Sequence, residues 1–160
     1  MPLPTILLVI VAGVVLTITS IIVLIWLSVR LWCRPKRRLT SKGPEDYGLR
    51  YEPIAFQSHN FTIRGWFIPS LSGPQPASTI ILVHGWSGNA ADMLPAACFL
   101  HQAKFSVVLY DARGHGVSNN DGPITLLKVA QDILACLDYL ATRADVDMRR
   151  VGVLGHSFGG

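Results

Sequence analysis

Cysteine is scarce in this chain, with three in 160 residues. Cys33, Cys98 and Cys136 are odd in number and show no C-x-x-C spacing, so neither a disulfide framework nor a zinc site is indicated. Charge is also sparse, at 15% of residues, and positions 3–29 carry none. Lysine and arginine are not spread among aromatic residues, which argues against a nucleic-acid surface. No internal repeat is present. G-H-G-V-S-N at 114–119 lacks the last glycine of a dinucleotide fingerprint, and no Walker-type loop exists, so no cofactor is implied.

The net charge of +4 is local. Arg30, Arg34, Lys36, Arg37, Arg38, Lys42 and Arg50 cluster beside the apolar N-terminal segment, and the chain is close to neutral from residue 51 onward. That segment, residues 3–32, is long enough to cross a bilayer core, which takes about 20 apolar residues. Thr17, Thr19 and Ser20 are tolerated there because their hydroxyls can bond back to the preceding turn. Trp26, Trp32 and Arg30 suit the interface at its C-terminal end. A cleaved signal peptide would need a basic start, a shorter apolar run and a small-residue cleavage site. A retained single-pass anchor in the lipid bilayer is therefore preferred. The basic flank places the C-terminal part in the cytoplasm, in agreement with unpaired cysteines. Cys33 at the membrane edge reads either as an apolar filler or as a palmitoylation site, with the first favoured. Residues 33–48 form a basic juxtamembrane linker, and residues 49–160 the soluble part.

Within that soluble part, residues 49–57 and 61–68 alternate loosely around Ser58-His59-Asn60, the pattern of a hairpin. Residues 69–77 form a Pro-rich loop. STIILV at 78–83 and FSVVLYD at 105–111 are continuous apolar runs, expected of strands buried on both faces. Asn89 caps a helix that runs through about Ala103, although Pro95 disfavours regularity in its interior. Residues 124–143 carry Val129, Ile133, Leu137 and Leu140 at helical spacing. RRVGVLG at 149–155 is a strand that runs into Gly155-His156-Ser157-Phe158-Gly159. A hairpin followed by β-α-β-α-β predicts an α/β fold whose sheet becomes parallel, with helices on both faces. Functional groups then gather at the carboxyl ends of the strands.

Those ends carry three motifs: HGWSG at 84–88, DARGHGVS at 111–118 and GHSFGG at 155–160. G-x-S-x-G between a strand and a helix is a nucleophile elbow, a strained turn that presents a serine hydroxyl above the sheet. Side chains at Gly155 and Gly159 are expected to collide with neighbouring backbone. In this order the three motifs resemble those of the α/β-hydrolase superfamily, in particular its serine esterases and acyl-peptidases. The resemblance covers residues 50–160, the front half of that fold.

The resemblance implies a serine hydrolase that acts on small ester, thioester, amide or peptide substrates. Ser157 is the implied nucleophile, and the backbone N–H groups of Trp86 and Phe158 are the implied oxyanion donors. His84, Gly85, Asp111 and Arg113 support the loops, the last two through an ion pair or backbone hydrogen bonds. His115 is a loop histidine, and His156 points away from the chemistry. Trp86 either lines an acyl pocket or simply packs. In this superfamily the acid and the histidine follow the serine in chain order, so both are expected beyond Gly160. The 160 residues alone then read as a truncated hydrolase with little or no activity and an open edge on the strand at 149–155. The alternative is a non-catalytic membrane-anchored scaffold that keeps the hydrolase architecture for partner binding.

Overall fold

The computed structural model describes residues 2–73, 76–119 and 122–160. Pro74 and Gln75 of the expected Pro-rich loop, and Asn120 and Asp121 of the loop after the second buried strand, lie outside them. The chain opens with helix α1 (Leu3–Trp32), in which no residue is buried. At about 1.5 Å per residue a helix of this length reaches about 45 Å. Its hydroxyls bond back one turn, Thr17 to the Gly13 carbonyl, Thr19 to Val15, Ser20 to Leu16 and Ser28 to Leu24. Arg30 lies 4.2 Å over the Trp26 ring. This helix is long and apolar enough to cross a membrane, with a mean hydropathy of 3.0.

The hairpin comprises β1 (Glu52–Ser58) and β2 (Phe61–Ile68), paired antiparallel around a turn at His59 and Asn60. Three further strands follow: β3 (Ala77–Val83), β4 (Ser106–Asp111) and β5 (Val146–Gly155). The sheet order is β1-β2-β4-β3-β5. β2 meets β4 antiparallel, whereas β3 pairs parallel with both β4 and β5. The parallel strands connect through helices α2 (Leu94–Gln102) and α3 (Leu126–Ala141). The chain steps from β3 to one side and returns to the other, so the carboxyl end of β3 is a switch point where a crevice opens.

Period-2 alternation divides each apolar strand between two cores. Val108 and Tyr110 of β4, with Ile81 and Val83 of β3, face α3 and pack with Cys136 and Leu140. Val107 and Leu109, with Leu82, face α2 and pack with Leu94 and Ala97. Every residue of β4 is buried. That double burial is why its sequence is continuously apolar, and each such buried aliphatic side chain contributes about 1.5–3 kcal/mol. β5 closes the sheet on one side, with Val153 and Leu154 exposed.

One expectation changes in detail. Asn89 does cap a helical segment, accepting from the Ala91 N–H, but that segment is first a 3-10 turn (Ala90–Met93). α2 begins only at Leu94, so Pro95 occupies its first turn, where a missing N–H costs no helical hydrogen bond. The interior proline anticipated from the sequence is an initiator.

Candidate active site

The carboxyl ends of β3, β4 and β5 converge, and polar side chains staple their loops together. His84, the first residue past β3, is buried. Its Nδ1–H donates to the Gly85 carbonyl at 2.8 Å, and its Nε2 accepts from the Ala112 N–H at 3.0 Å. The hydrogen bonds assign this tautomer. Burial holds its pKa below the ordinary histidine value, opposed by the Gly85 hydrogen bond and by the Asp111 and Asp92 charges.

His115 is buried beside it, with ring centroids 4.8 Å apart. Its Nε2 accepts from the Ser87 N–H at 3.2 Å, and its Nδ1 faces the Arg113 carbonyl at 3.1 Å. Burial, and then the neighbouring His84, lower its pKa as well. Both imidazoles thus serve as neutral bridges between the β3 and β4 loops.

Asp111 and Arg113 do not pair with each other. Asp111 accepts from the Ala90 N–H at 2.7 Å and the Val117 N–H at 2.8 Å, joining the 3-10 turn to the β4 loop. The Arg113 guanidinium instead meets Asp132 of α3 at 2.6 Å, with both side chains almost fully buried. It also donates to Ser58 Oγ at 2.8 Å. Asp132 was not singled out from the sequence. Its signal was a carboxylate on the helix face that also carries Val129, Cys136 and Leu140, a position that requires a buried partner. Ser118 was also missed. It accepts from the Arg64 N–H at 2.9 Å and donates to the Asp111 carbonyl at 2.5 Å.

The elbow follows β5. The His156 N–H donates to the Val83 carbonyl at 3.0 Å, extending the strand pairing to the edge of the turn. A 3-10 turn (Ser157–Gly159) then reverses the chain. Ser157 has φ 55°, in the left-handed region that a non-glycine residue rarely adopts. A methyl group at Gly155 would sit 1.9 Å from the Gly159 carbonyl oxygen, and one at Gly159 would sit 2.5 Å from that of Val83. The elbow needs both glycines for this close backbone approach.

Ser157 is exposed and lines a cleft of about 640 Å³ with Gly85, Trp86, Met93, Pro95 and His156. A Cβ placed on Gly85 would be 3.3 Å from Ser157 Cβ and 3.1 Å from His156 Nδ1, so the β3 loop lies directly against the elbow. His156 therefore borders the cleft, where the sequence suggested that it points away. Trp86 and Phe158 meet edge to face at 5.0 Å. The two hydrogen bonds that close the elbow are donated by Gly159 and Gly160, and neither uses the Phe158 N–H. Among the described residues no imidazole or carboxylate bonds to Ser157 Oγ. The cleft also takes Arg38 into its wall, a linker residue that no sequence pattern placed there.

Comparison with known proteins agrees with the fold. The family model described as serine aminopeptidase, S33, matches residues 74–160. The protein YfhR of Escherichia coli K12 is 32% identical over 121 residues, covering 74% of this chain and 41% of YfhR. The α/β hydrolase domain-containing protein WAV2 of Arabidopsis thaliana is 33% identical over 122 residues, covering 73% of this chain and 38% of WAV2. The chain thus spans about two fifths of the length of these curated relatives. Among solved structures, the Pyrococcus furiosus esterase Pf2001 superposes with a TM-score of 0.68 at 25% identity, covering 79% of this chain and 49% of that one. With its mixed sheet, its elbow and its family match over residues 74–160, this chain belongs to the serine aminopeptidase S33 family of the α/β-hydrolase superfamily.

Proposed function

We propose that Ser157 is the nucleophile of a membrane-anchored serine hydrolase that forms an acyl-enzyme on ester, thioester or amide substrates. The observation that carries this reading is the strained conformation of Ser157, held at φ 55° on a glycine-flanked turn and exposed in the cleft. Strain of this kind costs about 1–3 kcal/mol and persists where a site uses it. The esterase Pf2001 shares the fold and supports the same reaction class.

In this reading the Trp86 and Phe158 N–H groups form the oxyanion hole. The contact between their side chains supports it, because it brings the two backbone segments together beside the serine. Loss of one such donor typically costs about 2.7–4 kcal/mol of transition-state stabilisation. The attacking hydroxyl needs a general base. His84 and His115 are unsuited to that role, because each ring already bridges two backbone groups. In this reading the base and its orienting acid come from the part of the fold that corresponds to the three fifths of the curated relatives this chain does not span. The basic flank of α1 supports a cytoplasmic domain in this reading.

Labelling with a fluorophosphonate probe tests the assignment. A form extended to the length of the curated relatives should label and lose the label on Ser157→Ala, while the 160-residue chain labels weakly. Absence of Ser157-dependent labelling in the extended form would instead favour a non-catalytic scaffold.

A further inference from the structure

The segment after α1 is bound along the site. The Cys33 carbonyl accepts from the Ile124 N–H at 2.7 Å. The Lys36 N–H donates to Ser87 Oγ at 3.1 Å. The Arg37 guanidinium donates to the Gly116 carbonyl at 2.5 Å and also to that of Ser118. Asn89 Nδ2 donates to the Arg38 carbonyl at 3.3 Å, and the Arg38 side chain reaches Asp92 at 3.5 Å. Residues 33–38 therefore tie into the loops after β3 and β4 and into the approach to α3. Arg38 closes the circuit by lining the cleft of Ser157.

This strap sets a distance. Arg38 lies six residue steps past the end of α1 at Trp32, and a fully extended chain gains at most about 3.6 Å per residue. The end of α1 is thus no more than about 22 Å from the cleft wall by that measure. Exposed apolar side chains surround the attachment points. Val117, between the two carbonyls that Arg37 grips, is 55% exposed, and Leu126 and Leu127, just past Ile124, are 64% and 69% exposed. Arg34 and Lys36 add exposed positive charge there. The opposite end of the sheet differs in kind. Arg143, Asp145, Asp147, Arg149 and Arg150 form ion pairs around the start of β5, a surface suited to water.

We propose that the end of the sheet bearing the cleft is a docking face for an anionic lipid bilayer, strapped there by residues 33–38. The cleft then opens at the level of the headgroups, and substrates with bilayer-embedded acyl chains reach Ser157 without leaving the membrane. Val117, Leu126 and Leu127 enter the acyl boundary, while Arg34 and Lys36 meet anionic headgroups. This inference rests on α1 being a retained membrane span. The docking itself is independent of whether Ser157 is catalytic.

Site-specific fluorescence quenching tests it. The full chain, carrying Cys33→Ala and Cys98→Ala, is reconstituted in vesicles of phosphatidylcholine with phosphatidylserine. Bimane is attached at Leu126→Cys or Val117→Cys on the docking face, or at Met148→Cys on the far end. The two ends are separated by the length of β4, about 20 Å at 3.3 Å per residue. Headgroup spin-labelled lipid should quench the first two labels several-fold more than the third. Arg37→Ala, which frees the strap, should reduce that difference while the protein still floats with the vesicles. Equal quenching at both ends, stronger quenching at Met148→Cys, or failure to float would each overturn the proposal. The same pattern should persist with Ser157→Ala, so failed fluorophosphonate labelling and failed docking are separately readable.

Discussion

His84 Nε2 accepts a hydrogen bond from the Ala112 N–H at 3.0 Å, joining the end of β3 to the end of β4. The acceptor must be an unprotonated ring nitrogen, so protonation of His84 breaks the staple. His115 stands in the same position toward the Ser87 N–H. The β3 and β4 loops are thus held in register by two neutral imidazoles with depressed pKa values.

Stability should therefore fall on mild acidification. Each folded-state pKa lies below the unfolded value near 6.5, so the unfolded chain takes up protons first as pH falls. The contribution is complete above about pH 6.5 and is lost progressively below it. The thermal midpoint of the detergent-solubilised chain should decrease between about pH 7.5 and pH 5. The decrease should be smaller in a His84→Asn, His115→Asn double variant. A slope unchanged by the double variant would contradict the assignment.

Removal of one partner of the buried Arg113–Asp132 pair should be severe. Asp132→Ala removes the buried carboxylate that bonds both the Arg113 guanidinium and the Arg113 backbone N–H. A loss of about 3–5 kcal/mol is expected. Denaturant unfolding measures it, with the exposed pair Arg38–Asp92 as comparison, where Arg38→Ala should cost no more than about 1 kcal/mol.

Gly159→Ala should distort the elbow. The new methyl group would press on the Val83 and His84 carbonyl oxygens at 2.5 and 2.7 Å, and backbone has little room to yield. The expected penalty is about 1–3 kcal/mol. In a form extended to the length of the relatives, fluorophosphonate labelling at Ser157 should be lost with it. Gly13→Ala, in open space on α1, should change neither.

The cysteines should differ in reactivity. Burial pushes the Cys136 thiol up to about 12, so little thiolate forms at neutral pH. Cys33 and Cys98 are half-buried. Maleimide should modify those two in the folded protein and reach Cys136 only on unfolding, as read by mass spectrometry.

Much of this architecture could be read from the chain because local patterns carry it. The apolar run of α1, the doubly buried strands β3 and β4, the spacing of α3 and the glycines of the elbow all depend on steric or periodic requirements within a few residues. Pro95 shows where that reading stops. Its effect depends on which residue begins the helix, and Asn89 and Asp92 settle that by capping the four-residue 3-10 turn that precedes it.

The partners of charged and imidazole groups lie further away. Arg113 finds Asp132 across 19 positions, His84 finds Ala112 across 28, and Arg37 finds Gly116 across 79. No local periodicity encodes such pairs, because they exist only once the sheet order has brought the loops together. The sequence sufficed for the presence of an elbow and of an apolar helix long enough to cross a membrane. Folding supplied the nearness of the two, by laying the linker along the strand ends, where the unpaired backbone groups of the loops accept it.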